Sequence, residues 1–229
     1  MSAFPDWLVP MAATLTQERF AGPDRRFERK YDGIRLMAFK QGADVRLYSR
    51  NRLRQNLPNI EAAIARLPVQ DAILDGEITW DRQSAYHVFD LLWLDGERLT
   101  ARPLEERLAR LDNLPLRAPL RRVQALDGGA PWERACAEGW EGVIAKRLGS
   151  PYEHRRSKSW LKMKCELTHD FIVGGFTDPQ GSRVGLGALL VGHHDKGEFA
   201  ADRFGRGKRW DDLHDQRARR GAVYRSRHR

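Results

Sequence analysis

The stretch Glu28-Arg29-Lys30-Tyr31-Asp32-Gly33-Ile34-Arg35 decides the reading of the chain. Asp-Gly marks a tight turn. Behind it, residues 34 to 48 alternate apolar and polar positions around Lys40-Gln41-Gly42-Ala43-Asp44, the pattern of a β-hairpin. Lys30 therefore falls on or just after the strand that precedes the hairpin. Taken alone it reads as a solvated turn lysine. Downstream, however, come Ser49-Arg50-Asn51, Asp75-Gly76-Glu77, Phe89-Asp90, Glu141-Gly142-Val143-Ile144-Ala145-Lys146 and Trp160-Leu161-Lys162-Met163-Lys164. The set supplies one amine nucleophile, several cations for phosphate and two carboxylates for a metal.

A lysine attacks phosphorus only as the neutral amine, which is scarce near neutral pH because the ordinary amine pKa is roughly 10.4. Neighbouring cations oppose a further positive charge and also stabilise charge that develops on an α-phosphate. Arg35, Lys162, Lys164 and a bound divalent metal are the candidates. Glu77 and Glu141 flank glycines in short β-rich runs, and hard oxygen ligands of this kind suit Mg²⁺ or Mn²⁺. Taken singly, each glutamate reads better as a surface hairpin residue. Phe89 reads either as core or as a stacking face for a purine. The glycine-rich run 181 to 187 is not followed by Lys-Ser or Lys-Thr, so it is no P-loop and reads as a turn between strands, and His193-His194 read as strand-end residues.

With 229 residues and 41% hydrophobic content, the chain can bury a core in one large domain or two smaller ones. Forty Lys and Arg against 31 Asp and Glu give a formal charge of +9, which suits an anionic partner, nucleic acid first. Residues 201 to 229 hold nine Arg and one Lys against four Asp, a net of +6, so the body is only mildly basic. Cys136 and Cys165 form no metal-ligand spacing and are expected to be reduced and packed. The first fifteen residues lack the pattern of a signal peptide, and the apolar runs are too short to span a bilayer. The chain reads as a soluble cytoplasmic protein with no membrane partner.

Ile60, Ala63, Ile64 and Leu67 recur at helical spacing, as do Leu104, Leu108 and Leu111 behind Pro103, and a third helix is expected from Pro131 to Glu138. Strands are expected at 71 to 80, 86 to 94, 121 to 125, 142 to 147 and 158 to 165, giving an α+β class with antiparallel sheets. After Cys165 the character changes to strands at Phe171 to Phe176 and Leu186 to His193. The boundary is placed near Glu166 to Thr168, and residues 218 to 229 read as a poorly ordered Arg-rich tail.

The ordered motifs resemble the covalent nucleotidyltransferase superfamily of ATP-dependent DNA ligases, RNA ligases and mRNA capping enzymes. Lys30 to Arg35 is similar to its KxDGxR element, and the later elements follow in the family's order. Phe4 to Met11 and Val88 to Gly96 resemble the ligase modules of bacterial nonhomologous end-joining proteins, and Phe171 to Gly192 resembles the start of their OB-fold domain. The resemblance implies an adenylation domain over 1–166 and a partial OB-like domain over 167–217. It makes Lys30 the site of AMP attachment, Glu28 a contact to the adenine edge, and Phe89 the adenine-stacking ring. Arg35, Arg50, Lys162 and Lys164 would hold phosphates, Glu77 the ribose or metal network, and Glu141 a metal. Lys146 matches a motif's terminal lysine, with a phosphate role and a structural role both open. The implied activity is ATP-dependent sealing of DNA nicks or ends in repair and recombination, with Mg²⁺ or Mn²⁺, DNA and end-joining repair proteins as partners. No counterpart of the family's last basic motif is found near the C-terminus. An RNA ligase, a guanylyltransferase and a truncated DNA-end-binding module are the alternatives.

Overall fold

The computed structural model describes residues 3–80, 84–126, 128–165, 172–177, 188–195 and 198–201. The chain divides into two compact units, Met1–Glu166 and Leu167–Arg229. The first runs β1 (Ala12–Leu15), β2 (Arg25–Arg29), β3 (Ile34–Gln41), β4 (Asp44–Ser49), β5 (Arg54–Gln55), α1 (Pro58–Ala65), β6 (Asp71–Trp80), β7 (Ser84–Leu94) and β8 (Glu97–Arg98). It continues with α2 (Leu104–Asp112), β9 (Leu120–Arg122), β10 (Ala125–Leu126), α3 (Pro131–Ala137), β11 (Gly142–Arg147) and β12 (Arg156–Lys164).

The expected helices form where apolar spacing and proline coincide. Pro58 and Pro131 occupy the first turns of α1 and α3, where a missing N–H costs nothing, and Glu105 and Glu106 complement the N-terminal dipole of α2. The structure is mostly β with few helices, a coarser form of the expected α+β class.

Strands β5-β4-β3-β6-β7-β8 lie side by side, with β9 paired to β7, as a seven-stranded sheet. A five-stranded sheet runs β1-β12-β11-β2-β10. Pairing is antiparallel except for β1 with β12 and β7 with β9, which are parallel. The single strand expected at 121 to 125 is two short strands in different sheets, because β9 continues along β7 while β10 crosses to β2.

One face of the larger sheet buries Leu36, Leu47, Leu74 and Val88 against α1 and α2. Its other face carries Met37, Phe39, Ile73 and Trp93 and packs against Tyr152 and Trp160, with the N-terminal Phe4, Trp7 and Leu8 alongside. The outer face of the smaller sheet, with Phe27, Val143, Ala145 and Met163, packs with Ala135 of α3 and Trp140. Each fully buried large side chain here contributes roughly 1.5–3 kcal/mol.

Cys136 and Cys165 are not reduced: they form a disulfide with a Cα–Cα separation of 5.3 Å. The packing of α3 against the sheet brings the two together across 29 residues of sequence. In the second unit, β13 (Ile172–Thr177), β14 (Ala188–Asp195) and β15 (Glu198–Ala201) form an antiparallel three-stranded sheet. The expected boundary at 166 to 168, the glycine-rich turn, the side chains of His193 and His194, and the tail lie outside the described residues.

Candidate active site

Strand register builds one wall of the site. Glu28 lies opposite Ile144, Arg26 opposite Lys146, and the Lys30 N–H donates to the Gly142 carbonyl at 2.9 Å. On the far side of β11, Gly142 faces Lys164, Ile144 faces Lys162 and Lys146 faces Trp160. Because side chains alternate along a strand, Glu28, Lys30, Lys146, Lys162 and Lys164 project from one face while Phe27, Val143 and Met163 enter the core behind. Five sequence-predicted residues are thereby placed on one surface.

The facing wall comes from the larger sheet. Arg35 lies opposite Glu77 and Met37 opposite Asp75, all on the face that carries Phe39 and Ile73. Phe89 reaches this face through a β-bulge: Asp75 pairs with Asp90 and Gly76 with Val88, so Phe89 is the extra residue. Its half-buried ring meets Trp160 edge-on at 5.9 Å, with the Lys146 ammonium 4.7 Å and the Arg35 guanidinium 5.3 Å from its centroid.

Two motif glycines fix the adjoining functional residues by close approach. A Cβ on Gly33 would stand 2.1 Å from the Ile78 carbonyl oxygen, and one on Gly142 would stand 2.1 Å from that of Met163, at a φ of +146°. Only glycine lets the chain after Lys30 cross β6, and only glycine lets the residue after Glu141 lie against β12.

Lys30 Nζ donates to Glu141 Oε2, and Lys164 Nζ stands 3.7 Å from Glu141 Oε1. The Lys162 ammonium is held below the ordinary lysine range, first by partial burial and then by Lys164, Arg156 and Lys30. Glu77 carries no hydrogen bond among the described residues. Its carboxyl is pushed up to about 7, chiefly by burial, with Arg35 and Lys30 opposing and Asp75 and Glu141 reinforcing the rise. Such a half-buried, unbonded carboxylate gains from a cation. Glu77 and Glu141 are the carboxylates that could hold a Mg²⁺ or Mn²⁺ ion, which commonly takes one or two carboxylates and completes its shell with water and substrate phosphate. No cluster of three or more His, Cys, Asp or Glu side chains occurs among the described residues.

Other residues are placed differently from a simple ligand list. Glu28 is ion-paired to Lys146 at 2.7 Å and to Arg26 at 3.0 Å. Lys146 also donates to the Phe89 carbonyl at 2.9 Å, and burial pulls its pKa down against the pull of Glu28. Arg35 binds Asp75 twice, Nε to Oδ1 at 2.9 Å and Nη2 to Oδ2 at 2.5 Å. Arg50 is exposed in the turn after β4, and no side-chain bond to it occurs among the described residues.

Sequence reasoning missed two residues that organise the site. Arg107 of α2 grips Asp90 with both side chains 0% exposed, and thus pins the bulge that carries Phe89. Tyr152 donates to Asp75 at 2.7 Å. Arg107 had a signal: it shares the apolar stripe of Leu104, Leu108 and Leu111, where a charge needs a buried partner.

The family described as "ATP dependent DNA ligase domain" matches residues 10–86 and 79–164, more than half of the chain. The multifunctional non-homologous end joining protein LigD of Pseudomonas aeruginosa is 38% identical over 223 residues, covering 85% of this chain and 26% of that protein. A probable DNA ligase of Rhodococcus opacus is 35% identical over 208 residues, covering 76% of this chain and 41% of the relative. The chain thus spans about a quarter to two fifths of these relatives. Among solved structures, mycobacterial DNA ligase D complexed with ATP and MES superposes with a TM-score of 0.62 at 29% identity, over 85% of this chain and 70% of that one. The ligase domain of Mycobacterium tuberculosis LigD gives 0.58 at 28% identity, over 91% and 77%. With its lysine, carboxylates and facing sheets arranged as above, the chain belongs to the ATP-dependent DNA ligase domain family and resembles the ligase domain of the bacterial LigD proteins.

Proposed function

We propose that this chain is the catalytic core of a ligase that adenylates itself on Lys30 and seals DNA nicks or ends. One observation carries the reading: Lys30 meets Glu141 and shares its sheet face with Lys162 and Lys164, while Glu77 bears on the same amine from the other sheet. In the first step Lys30 Nζ attacks the α-phosphorus of ATP, a P–N bond forms, the bond to the β-phosphate oxygen breaks and pyrophosphate leaves. The AMP passes to a 5′-phosphate, and a 3′-hydroxyl then displaces it to form the phosphodiester.

Phe89 offers the stacking face for adenine and Glu28 its edge contact, beside the buried Glu28–Lys146 pair. Lys162 and Lys164 neutralise phosphate, Arg50 reaches it from the turn after β4, and Arg35 does so from beside Phe89. A divalent Mg²⁺ or Mn²⁺ held by Glu77 and Glu141 would offset the triphosphate charge. DNA is engaged mainly through its phosphates, so affinity falls with salt. The likeness to LigD supports double-strand ends and end-joining repair proteins as the setting. For the unit 1–166 an adenylation role is proposed, and for 167–217 a partial OB-like role.

The test is incubation with α-labelled ATP and Mg²⁺ or Mn²⁺. Expected is a label that survives denaturation and alkali but is released by acid, as a P–N bond requires, and that is lost in Lys30→Ala at an unchanged circular dichroism spectrum. Equal labelling of Lys30→Ala refutes the assignment. Labelling by GTP in place of ATP, or sealing of RNA but not DNA nicks, points to a different member of the superfamily.

A further inference from the structure

Tyr152 sits in the connection between β11 and β12 and is 3% exposed. Its ring meets Trp160 edge-on at 5.7 Å, and its backbone N–H donates to the Thr100 carbonyl at 2.8 Å. The hydroxyl has one proton and two lone pairs, and each finds a partner. It accepts from the Met11 N–H at 2.9 Å and from Arg35 Nη2 at 3.2 Å. Those two groups only donate, so the phenol proton is forced toward Asp75 Oδ2 at 2.7 Å. Burial and the Asp75 charge disfavour the phenolate, so the donor persists across the working pH range.

These bonds join the N-terminal segment, the Asp75-Gly76-Glu77 run and Arg35 of the lysine motif. They also nearly exhaust Arg35. A guanidinium has five N–H groups. Nε and one Nη2 proton go to Asp75, the other Nη2 proton to Tyr152, and one Nη1 proton to the Met11 carbonyl. One Nη1 proton is left over among the described residues. The guanidinium lies 5.3 Å from the Phe89 centroid and 5.9 Å from that of Trp160, beside the proposed adenine-stacking ring.

We propose that Tyr152 is a positioning residue for adenylyl transfer: its hydroxyl, with Asp75, fixes the plane of Arg35 beside Phe89 and leaves a single Nη1 proton for an oxygen of the nucleotide. The inference rests on the adenylation reading above. Phenylalanine keeps the ring on Trp160 but removes an acceptor from Arg35 and a donor from Asp75, freeing the guanidinium to rotate. Small misplacements of a group that touches substrate can lower rate by up to ~100-fold.

The test is a double-mutant cycle of Tyr152→Phe and Arg35→Lys on the full chain, read as the single-turnover rate of α-labelled ATP incorporation at saturating ATP and Mg²⁺. Circular dichroism and melting follow each variant. Expected is a drop of roughly tenfold for Tyr152→Phe in the wild-type background and less than about twofold beside Arg35→Lys, because the tyrosine acts through the arginine. Equal drops in both backgrounds, or none in either, overturn the proposal. A Tyr152→Phe chain that does not fold makes the hydroxyl a structural pin and overturns it too. A wild-type chain that takes no label removes the adenylation reading and this inference with it, whereas a labelled wild type beside an unaffected Tyr152→Phe removes this inference alone.

Discussion

Arg107→Met is expected to lower the unfolding free energy by about 3–5 kcal/mol, the range for breaking a buried ion pair from one side. Both side chains of the pair are 0% exposed, and the grip is bidentate, Nε to Oδ1 at 2.8 Å and Nη2 to Oδ2 at 2.9 Å. Nη1 also donates to the carbonyls of Arg102 at 2.7 Å and Ser150 at 3.0 Å. Methionine fills much of the space but supplies no donor. Among the described residues Asp90 then keeps only the Leu91 N–H at 2.9 Å, as a buried carboxylate that has lost its hydrogen-bonded counter-charge, with Lys146 acting on it only through space. The double variant Asp90→Asn/Arg107→Met removes both charges and should recover most of the loss, because a buried pair replaced by neutral groups of similar size is often close to neutral. Urea unfolding of all four chains, followed by circular dichroism, reads this directly. With a slope of roughly 2 kcal/mol/M, the Arg107→Met midpoint should fall by about 2 M. A midpoint within about 0.3 M of wild type, or a double variant whose loss is the sum of the single losses, refutes the argument. Asp90 abuts the bulge, so Arg107→Met should also slow Lys30 labelling under conditions where the chain remains folded.

Reduction of Cys136–Cys165, or Cys136→Ser, removes a cross-link over 29 residues and should cost about 3.5 kcal/mol on the chain-entropy estimate, so equal urea midpoints with and without reductant would contradict it. Glu77 rises from 4.5 to about 7 on folding, chiefly by burial, so the folded state binds the extra proton between these values and stability declines as pH rises through that window. Glu77→Gln should accordingly raise the unfolding midpoint at pH 8 and leave it near wild type at pH 5; a shift of the same size at both pH values would show that ionisation is not the cause. Gly142→Ala places a methyl group against the Met163 carbonyl and should destabilise by roughly 1–3 kcal/mol while slowing Lys30 labelling, and an unchanged melting temperature with full labelling would count against the close approach as the reason for glycine.

Much of the wall that carries Lys30 was legible because β2, β11 and β12 follow strict alternation: Val143, Ala145 and Met163 enter the core, and the charged residues between them must share the other face. The helices were legible for the same reason at a different period. The bulge at Phe89 was not, since two ring-bearing or charged neighbours on one face look like a break in pattern until the partner strand is known. The disulfide was hidden because its closure depends on where α3 docks. The splitting of residues 120 to 126 between two sheets was hidden as well, for strands of three and two residues carry too little periodicity to show which partner they choose.

The charged residues of the motifs looked alike in sequence, yet they fall into two electrostatic classes. Glu28 and Lys146 have side chains 2% exposed and neutralise each other at 2.7 Å, whereas Lys30, Glu141 and Lys164 are 19%, 27% and 47% exposed. The deep pair therefore presents little net charge to a ligand, and it sits against the aromatic surface of Phe89 and Trp160. At the open end Lys30, Lys162 and Lys164 outnumber Glu141 and a Glu77 that ionises only near pH 7, leaving a net positive rim. A nucleotide has the opposite polarity along its length, a flat neutral base at one end and a polyanion at the other. The gradient supports the orientation that adenylation needs, with the base against Phe89 and the α-phosphate at Lys30. It also explains why buried Lys146 and Lys30, the lysine proposed to attack, cannot be told apart by motif position alone: what separates them is the partner that burial requires.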